Sequence, residues 1–293
     1  MTEPILLIPA FRSGRETPWA GDVLRKEFEK YTLGNLIGES YDFSFIEKLE
    51  CTTPDGQPLS AVWHACTATP AITPQFVIKW IDASASTSVH LHPEHDEYLY
   101  ILKAQTDACV ITGLDKNISP DIIGSTLLSN DPSCLFSSIT PKVSNLIHIP
   151  AGVPHALKGV TCWCVQTKCS PTLRLYDWQR TNARGQKRQL QFENALSSIS
   201  HDTAETTCSP HDQSNHPIIC TNAFDVFEIS GVENLPYSSV GNFAVITCVS
   251  PAEITLCTGK KLYLSAGQSV LLPHNVDSFN FSAAHAFFVY PKE

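Results

Sequence analysis

The chain has 293 residues, 43% of them hydrophobic and 17% charged, a balance that argues against disorder and leaves room for one large or two smaller cores. Its formal charge of -9 and pI near 5.6 argue against broad contact with nucleic acid or an anionic membrane, so an anionic ligand must be held by a few local basic groups. The eleven cysteines are scattered, odd in number and without Cys-x-x-Cys pairs, and the longest early apolar run, Ile5 to Ala10, is too short for a signal or membrane segment. The expectation is a cytoplasmic protein with reduced thiols, in which Cys162, Cys164 and Cys169 fill core space rather than bind metal.

In chain order, Ile5 to Pro9 reads as a short strand. Thr17-Pro-Trp-Ala-Gly-Asp22 reads as a turn whose Thr17, Pro18 or Asp22 starts a helix through Tyr31, with Val23, Leu24 and Phe28 on its buried face. Gly34 and Gly38 lead into a strand from Glu39 to Ile46; Trp19 and Glu39-Ser40 stand open between a structural role and lining a pocket. From Leu59 the pattern is strand after strand: Leu59 to Ala65, Gln75 to Asp82, Ser88 to His92, Glu97 to Lys103, Ala108 to Thr112, Asn145 to Pro150 and Thr161 to Thr167. Asn117 to Ser138 is less regular and holds a short helix around Ile122 to Leu128.

Thr172 to Trp178 closes this β region with Arg174 between two apolar neighbours, facing either solvent or the interior. A polar turn from Asn182 to Arg188 and a short helix from Phe192 to Ile199 follow, and the Ser-, Thr-, Asp- and His-rich run from Ser200 to Pro217 reads as a linker. Beyond it strands return: Ile218 to Thr221, Val226 to Ser230, Ala244 to Val249, Ala252 to Cys257, Lys260 to Leu264, Ser269 to Pro273, Ser278 to Phe281 and Ala286 to Tyr290. His274 and His285 stand singly there and read as ordinary surface or edge residues. There is no phosphate-cradling Gly-rich loop and no Gly-x-Ser-x-Gly elbow.

One stretch carries chemistry: Ser88-Val-His-Leu-His-Pro-Glu-His-Asp-Glu97. Alternate residues of a strand share a face, so His90 and His92 point the same way, and Glu97 re-enters from the next strand after a Pro93 corner. A fourth ligand comes from Ile149-Pro-Ala-Gly-Val-Pro-His155, where two prolines and a glycine turn the chain and leave His155 at the start of a strand. This paired pattern resembles the metal motifs of the cupin superfamily, antiparallel β barrels of jelly-roll type with one metal inside. The expected fold is therefore mainly β: a metal-binding cupin domain over 1–199 with an N-terminal helix, a polar linker over 200–217, and a smaller, metal-free cupin-like β domain over 218–293, with a few short helices.

The blocks Gly38-Glu-Ser40, Phe76-Val-Ile-Lys-Trp-Ile-Asp-Ala83, Ser88-Val-His-Leu-His-Pro93, Ile149-Pro-Ala-Gly-Val-Pro-His-Ala-Leu157, Leu173-Arg-Leu-Tyr-Asp-Trp178 and Gly185-Gln-Lys-Arg-Gln-Leu190, in that order, resemble the class I mannose-6-phosphate isomerases in their short bacterial form. The resemblance implies interconversion of mannose 6-phosphate and fructose 6-phosphate by proton transfer between C1 and C2 through an enediol, with one divalent metal, zinc first and iron, manganese or nickel as alternatives. It places His92, Glu97 and His155 at family ligand positions and Lys79 and Arg174 at catalytic and substrate-binding positions; Trp19 and Glu39 are further candidates for substrate binding. Two residues depart from the family: His90 stands where a glutamine ligand is usual, and His95 where a lysine is usual. His90 still ligates, and His95 is expected to take over proton shuttling. The expected partner is a hexose phosphate, with no nucleic acid and no membrane; another cupin metalloenzyme of dioxygenase type and a non-catalytic sugar-binding relative are the alternatives.

Overall fold

The computed structural model describes residues 2–69, 73–129, 131–167, 170–181, 184–208, 216–239 and 241–292. The chain forms two compact units: Met1–Thr17, Asp22–Trp80 and Ser209–Glu293 make one, and Pro18–Gly21 with Ile81–Cys208 the other. The sequence-based division at 200–217 differs from this partition in a definite way. Residues up to 80 group almost entirely with the C-terminal strands, because Ile5–Leu7 pairs with Ser269–Leu272 and Ile8 bridges Thr52. Part of the expected linker is itself a strand, Glu205–Cys208, antiparallel to Asn145–Ile149; residues 209–215 lie outside the described residues.

In the unit built on Ile81–Cys208, the strands Glu205–Cys208, Asn145–Ile149, Glu97–Leu114 and His155–Thr167 run side by side and antiparallel. The two strands expected at 97–103 and 108–112 are one, Glu97–Leu114, whose exposed middle from Lys103 to Asp107 carries a register break against its neighbour. Opposite pairs Leu99 with Cys164 and Ile101 with Cys162 put four apolar side chains on one face, and these join Trp19, Ile81, Val110, Ile147 and Leu157 in one core. A second core of Val89, Leu91, Leu135, Leu173, Leu175 and Ala195 seats the expected helices, observed at Pro120–Leu127 and Phe192–Ser197. Cys162 and Cys164 are thus core thiols; Cys169 lies outside the described residues.

The other unit carries Ile5–Leu7, Ser269–Leu272, Ala244–Cys248, Phe279–Pro291, Phe224–Tyr237 and Ile219–Cys220 as consecutive neighbours, with the hairpin Ala252–Leu256 and Lys261–Leu264 on the long Phe279–Pro291 strand. Its core includes Ile246, Ile254, Leu272, Phe281 and Phe288. Here too Ala10–Ser13, Ile37–Phe43 and the start of Phe76–Ala83 lie side by side.

Three expectations are corrected in this unit. Leu59 to Ala65 is helical, an α turn Leu59–Val62 running into a 3-10 turn Trp63–Ala65, because Leu59, Val62 and Trp63 bury at spacings of three and four instead of alternating. The helix expected through Tyr31 is only Val23–Glu27: Thr17 spends its hydroxyl on the Ser13 carbonyl at 2.7 Å, Asp22 makes no side-chain cap, and Glu29 turns to a positive φ of 49°. The strand expected from Ile5 to Pro9 ends at Leu7, and a second strand not expected from the sequence, Ala10–Ser13, follows it.

On the Ile37–Phe43 strand successive side chains face opposite ways and every residue is buried. Ser40 and Asp42 take one side, where the Lys30 ammonium donates to both Asp42 oxygens at 2.7 and 2.6 Å. The Ser40 and Ser269 hydroxyls donate to the same carboxylate at 2.6 and 2.8 Å. The Lys30 ammonium also sits 5.1 Å from the centre of the Trp80 ring.

Candidate metal centre

The ligand cluster is assembled by strand register. Val89–Leu91 places His90 directly opposite His155 on one neighbour and opposite Arg174 on the other, and His155 lies opposite Thr112. Directly opposed residues in an antiparallel pair share a face, so Arg174, His90 and His155 form a row across three strands. The ring centres of His90 and His155 are 4.3 Å apart and those of His92 and His95 4.2 Å, and Glu97 enters from its own strand. Glu97 Oε2 is 3.2 Å from His155 Nε2, and its Oε1 is 3.7 Å from His92 Nε2 and 3.9 Å from His95 Nε2. All five groups are buried or nearly so, in two overlapping triads: His90, His92 and His155, and His92, His95 and Glu97.

The hydrogen bonds around the rings decide which nitrogens hold protons. His90 Nδ1 faces the Ser88 carbonyl at 2.7 Å and His155 Nδ1 the Val153 carbonyl at 2.9 Å; a carbonyl only accepts, so each Nδ1 is the N–H. In the neutral rings each Nε2 then carries the lone pair. His155 Nε2 has no hydrogen-bond partner although it lies 3.2 Å from a carboxylate oxygen, an approach of two acceptors that a cation between them would turn into attraction. His95 is wired the opposite way: its Nδ1 accepts the backbone N–H of Ser170 at 3.0 Å, so the proton of the neutral ring sits on Nε2, facing Glu97. His95 therefore presents a donor where His90 and His155 present lone pairs. Burial pushes the His92 pKa well below its ordinary range, against the pull of Glu97, and its buried Nδ1 has no hydrogen-bond partner. His90, His92 and His155, and likewise His92, His95 and Glu97, bring their ligand atoms within 4.8 Å of one another, donor sets that suit a divalent cation.

The turn before His155 is bound back to the ligand strand. Gly152 N–H donates to the His92 carbonyl at 2.7 Å and Ala151 N–H to Asp96 Oδ1 at 2.9 Å, while Asp96 Oδ2 takes His148 Nε2 at 3.0 Å. The His148 hydrogen bond first, then that from Ala151, hold the Asp96 carboxyl below its usual range despite burial. Gly152 has φ of 79°, and a Cβ there would stand 2.7 Å from the Ser198 carbonyl oxygen, so only glycine fits.

The remaining predicted site residues divide between the units. Arg174 is half-buried in the row described above, its backbone N–H donating to Gln191 Oε1 at 3.1 Å. Trp19 is a member of the apolar core around Leu99 and Ile101. Lys79 and Glu39 belong to the other unit, both buried and 3.9 Å apart. Arg12, directly opposite Glu39 in register, donates to Glu39 Oε2 at 2.6 Å, a contact that nothing in the local sequence signals because the partners lie 27 positions apart. Burial, then the charge of Glu39, raise the hydroxyl pKa of Tyr41 on this same face. Among the described residues neither single histidine joins a ligand cluster: His285 Nε2 lies 3.0 Å from Glu228 Oε1, and the backbone N–H of His274 donates to the Cys66 carbonyl at 2.8 Å.

No family model matches the chain. Among curated proteins it is 25% identical to the Bacillus subtilis protein named "Probable mannose-6-phosphate isomerase GmuF", over 99% of each chain, and 23% identical to mannose-6-phosphate isomerase ManA of the same organism, over 95% of each. Among solved structures, the mannose 6-phosphate isomerase of Bacillus subtilis superposes with a TM-score of 0.80 at 20% identity, covering 98% of this chain and 99% of that one. The fold is thus mainly β and of cupin type. No helix among the described residues is long and apolar enough to cross a membrane. Over its full length, in sequence and in fold, this chain resembles the class I mannose-6-phosphate isomerases.

Proposed function

We propose that the chain is a metal-dependent aldose-ketose isomerase that interconverts mannose 6-phosphate and fructose 6-phosphate. The observation that carries this reading is the clustering of His90, His92 and His155, and of His92, His95 and Glu97, with the unprotonated Nε2 of His155 3.2 Å from the Glu97 carboxylate, in a chain whose full-length relatives bear that name. His90, His92, His155 and Glu97 would hold one divalent metal, zinc first, with iron, manganese or nickel as alternatives. Bound there, the metal supplies a Lewis acid for the sugar oxygens at C1 and C2.

In the forward direction the open-chain aldose loses a proton from C2 and gains one at C1. The oxygen on C1 gains a proton and that on C2 loses one, so the enediol between them keeps the atom count. In this reading His95, whose neutral ring carries its proton on Nε2, moves a proton at a substrate oxygen. Arg174, in register with His90, supplies fixed positive charge for the developing enediolate. Lys79 supplies charge for the phosphate, with Glu39 beside it for hydroxyl contacts. Trp19 backs the site as core and carries no contact of its own in this reading.

The test is a coupled assay for mannose 6-phosphate conversion on protein of known metal content, before and after chelation. Chelator-sensitive turnover that is lost in Arg174→Ala is expected. His95→Gln should abolish turnover with bound metal unchanged; retained turnover would remove His95 from the mechanism. Bound metal with no hexose phosphate converted would overturn the isomerase reading, and oxygen consumption would point to the dioxygenase alternative.

A further inference from the structure

Two consecutive N–H groups of the turn that delivers His155 are held from the two ends of the Pro93 corner. Gly152 N–H donates to the backbone carbonyl of His92 at 2.7 Å, and Ala151 N–H to Asp96 Oδ1 at 2.9 Å. The first bond uses a group that every residue has. The second needs an acceptor side chain at position 96, immediately before Glu97. Asp96 is anchored on two further sides. Its backbone N–H donates to Thr167 Oγ1 at 3.0 Å and its carbonyl accepts Thr167 N–H at 3.1 Å, at the far end of the strand that His155 begins. Its other carboxylate oxygen, Oδ2, takes His148 Nε2 at 3.0 Å. The His148 ring lies flat on Tyr98, its partner in register, with centres 4.5 Å apart and planes 4° from parallel. All of these residues belong to the unit built on Ile81–Cys208.

We propose that Asp96 is a positioning residue for the metal: by accepting Ala151 N–H it fixes the spacing between Glu97, its own chain neighbour, and His155 at the end of the turn. This rests on the metal-binding part of the isomerase reading and not on the identity of the sugar. Asp96 is no ligand itself. Among the described residues it joins neither ligand triad, and its two oxygens face the turn and His148. A carboxylate binds a backbone N–H more strongly than a neutral acceptor does, and His148, stacked on Tyr98, holds the carboxylate so that Oδ1 stays on Ala151. Good metal sites tolerate deviations of only about 0.2 Å in their ligand distances, so a small drift of His155 away from Glu97 lowers affinity.

The measurement is zinc affinity of the full-length protein, stripped and then titrated in competition with a chelating dye, together with the visible absorption of the cobalt(II)-loaded form. Asp96→Ala is expected to weaken zinc binding about tenfold to a hundredfold, the usual cost of removing a partner just outside a ligand set, and to shift the cobalt bands at saturation. Asp96→Asn keeps an oxygen for Ala151 N–H, so it is expected to stay within about threefold of wild type and to show the wild-type cobalt spectrum. Asp96→Ser, whose hydroxyl is too short to reach Ala151, should lose affinity as Asp96→Ala does, and it keeps the test open if Asp96→Ala fails to fold. Wild-type affinity in the Ala or Ser variant, an unchanged cobalt spectrum in both, or no rescue by Asn would each overturn the proposal. So would failure of both the Ala and Ser variants to fold, because Asp96 would then hold the fold and not the site. A wild type that binds no divalent metal would overturn the proposal together with the metal part of the isomerase reading. One that binds metal but converts no mannose 6-phosphate would sink the isomerase reading while leaving the Asp96 assignment standing.

Discussion

Replacing Asp42 with Asn should be among the most damaging single-atom-scale changes in the chain. The Lys30 ammonium, 4% exposed, has both Asp42 oxygens within 2.7 Å, and those oxygens also accept the Ser40 and Ser269 hydroxyls. At 2.6 Å and an effective dielectric constant of about 20, the charge-charge attraction alone is about 6 kcal/mol, before the cost of burying both ions is subtracted. The Asn variant keeps one acceptor but loses the charge and points an amide N–H at the ammonium. Its cost should fall at about 3–5 kcal/mol, the usual range for one orphaned member of a buried pair. The direction of the Lys30 shift fits this account: burial lowers its pKa, and Asp42 is the chief influence opposing that. Urea unfolding followed by tryptophan fluorescence and circular dichroism should show a lower midpoint with an unchanged slope. The double variant Lys30→Met/Asp42→Asn, with no charge left to bury, should recover at least about 2 kcal/mol of the loss. An Asn variant less than about 1 kcal/mol below wild type, or a double variant no better than the single, would refute the view that this pair is held by mutual charge and not by shape.

Three further outcomes follow from the ligand cluster and its supporting turn. Glu97→Gln should reduce the bound metal to well under one equivalent and abolish the rise in melting temperature on adding zinc, read by metal analysis and thermal melts; full metal content would remove Glu97 from the ligand set. Gly152→Ala meets both a positive φ and a Cβ 2.7 Å from the Ser198 carbonyl oxygen, so it should cost about 2 kcal/mol or more and weaken metal affinity through His155. For Asp96 the carboxyl sits below its usual range in the fold, so its contribution is complete above about pH 4 and is lost as pH falls through the folded value. The stability gap between wild type and Asp96→Asn should therefore narrow as unfolding is measured from pH 6 down to pH 3; a gap that widens on acidification would reverse the assignment.

The clustering of these histidines with Glu97 was legible because the signals for it lie in two short stretches. His90, His92 and Glu97 fall within eight residues whose faces follow from strand alternation and one proline corner, and His155 follows a turn that two prolines and a positive-φ glycine specify. The helical turn at Leu59–Val62 was lost for a related reason: four residues hold too little periodicity to separate spacings of three and four from alternation. The polar middle of the Glu97–Leu114 strand reads as a loop, since its Lys103 to Asp107 residues are exposed and only the flanks are apolar. The two charge clusters on the Ile37–Phe43 strand were out of reach altogether. Arg12 meets Glu39 across 27 positions and Ser269 meets Asp42 across 227, and no local pattern encodes a partner at that distance.

Because His90 and His155 each donate Nδ1–H to the carbonyl two residues earlier in their own chain segment, their ring planes are fixed by the backbone and owe nothing to an ion. Capture of a metal then requires no search over side-chain rotamers, and the ordering entropy that flexible ligands surrender on binding has already been spent during folding. Such a site exchanges metal at a rate governed by access and by ion dehydration. Loading and stripping should accordingly leave the backbone spectrum of the protein unaltered.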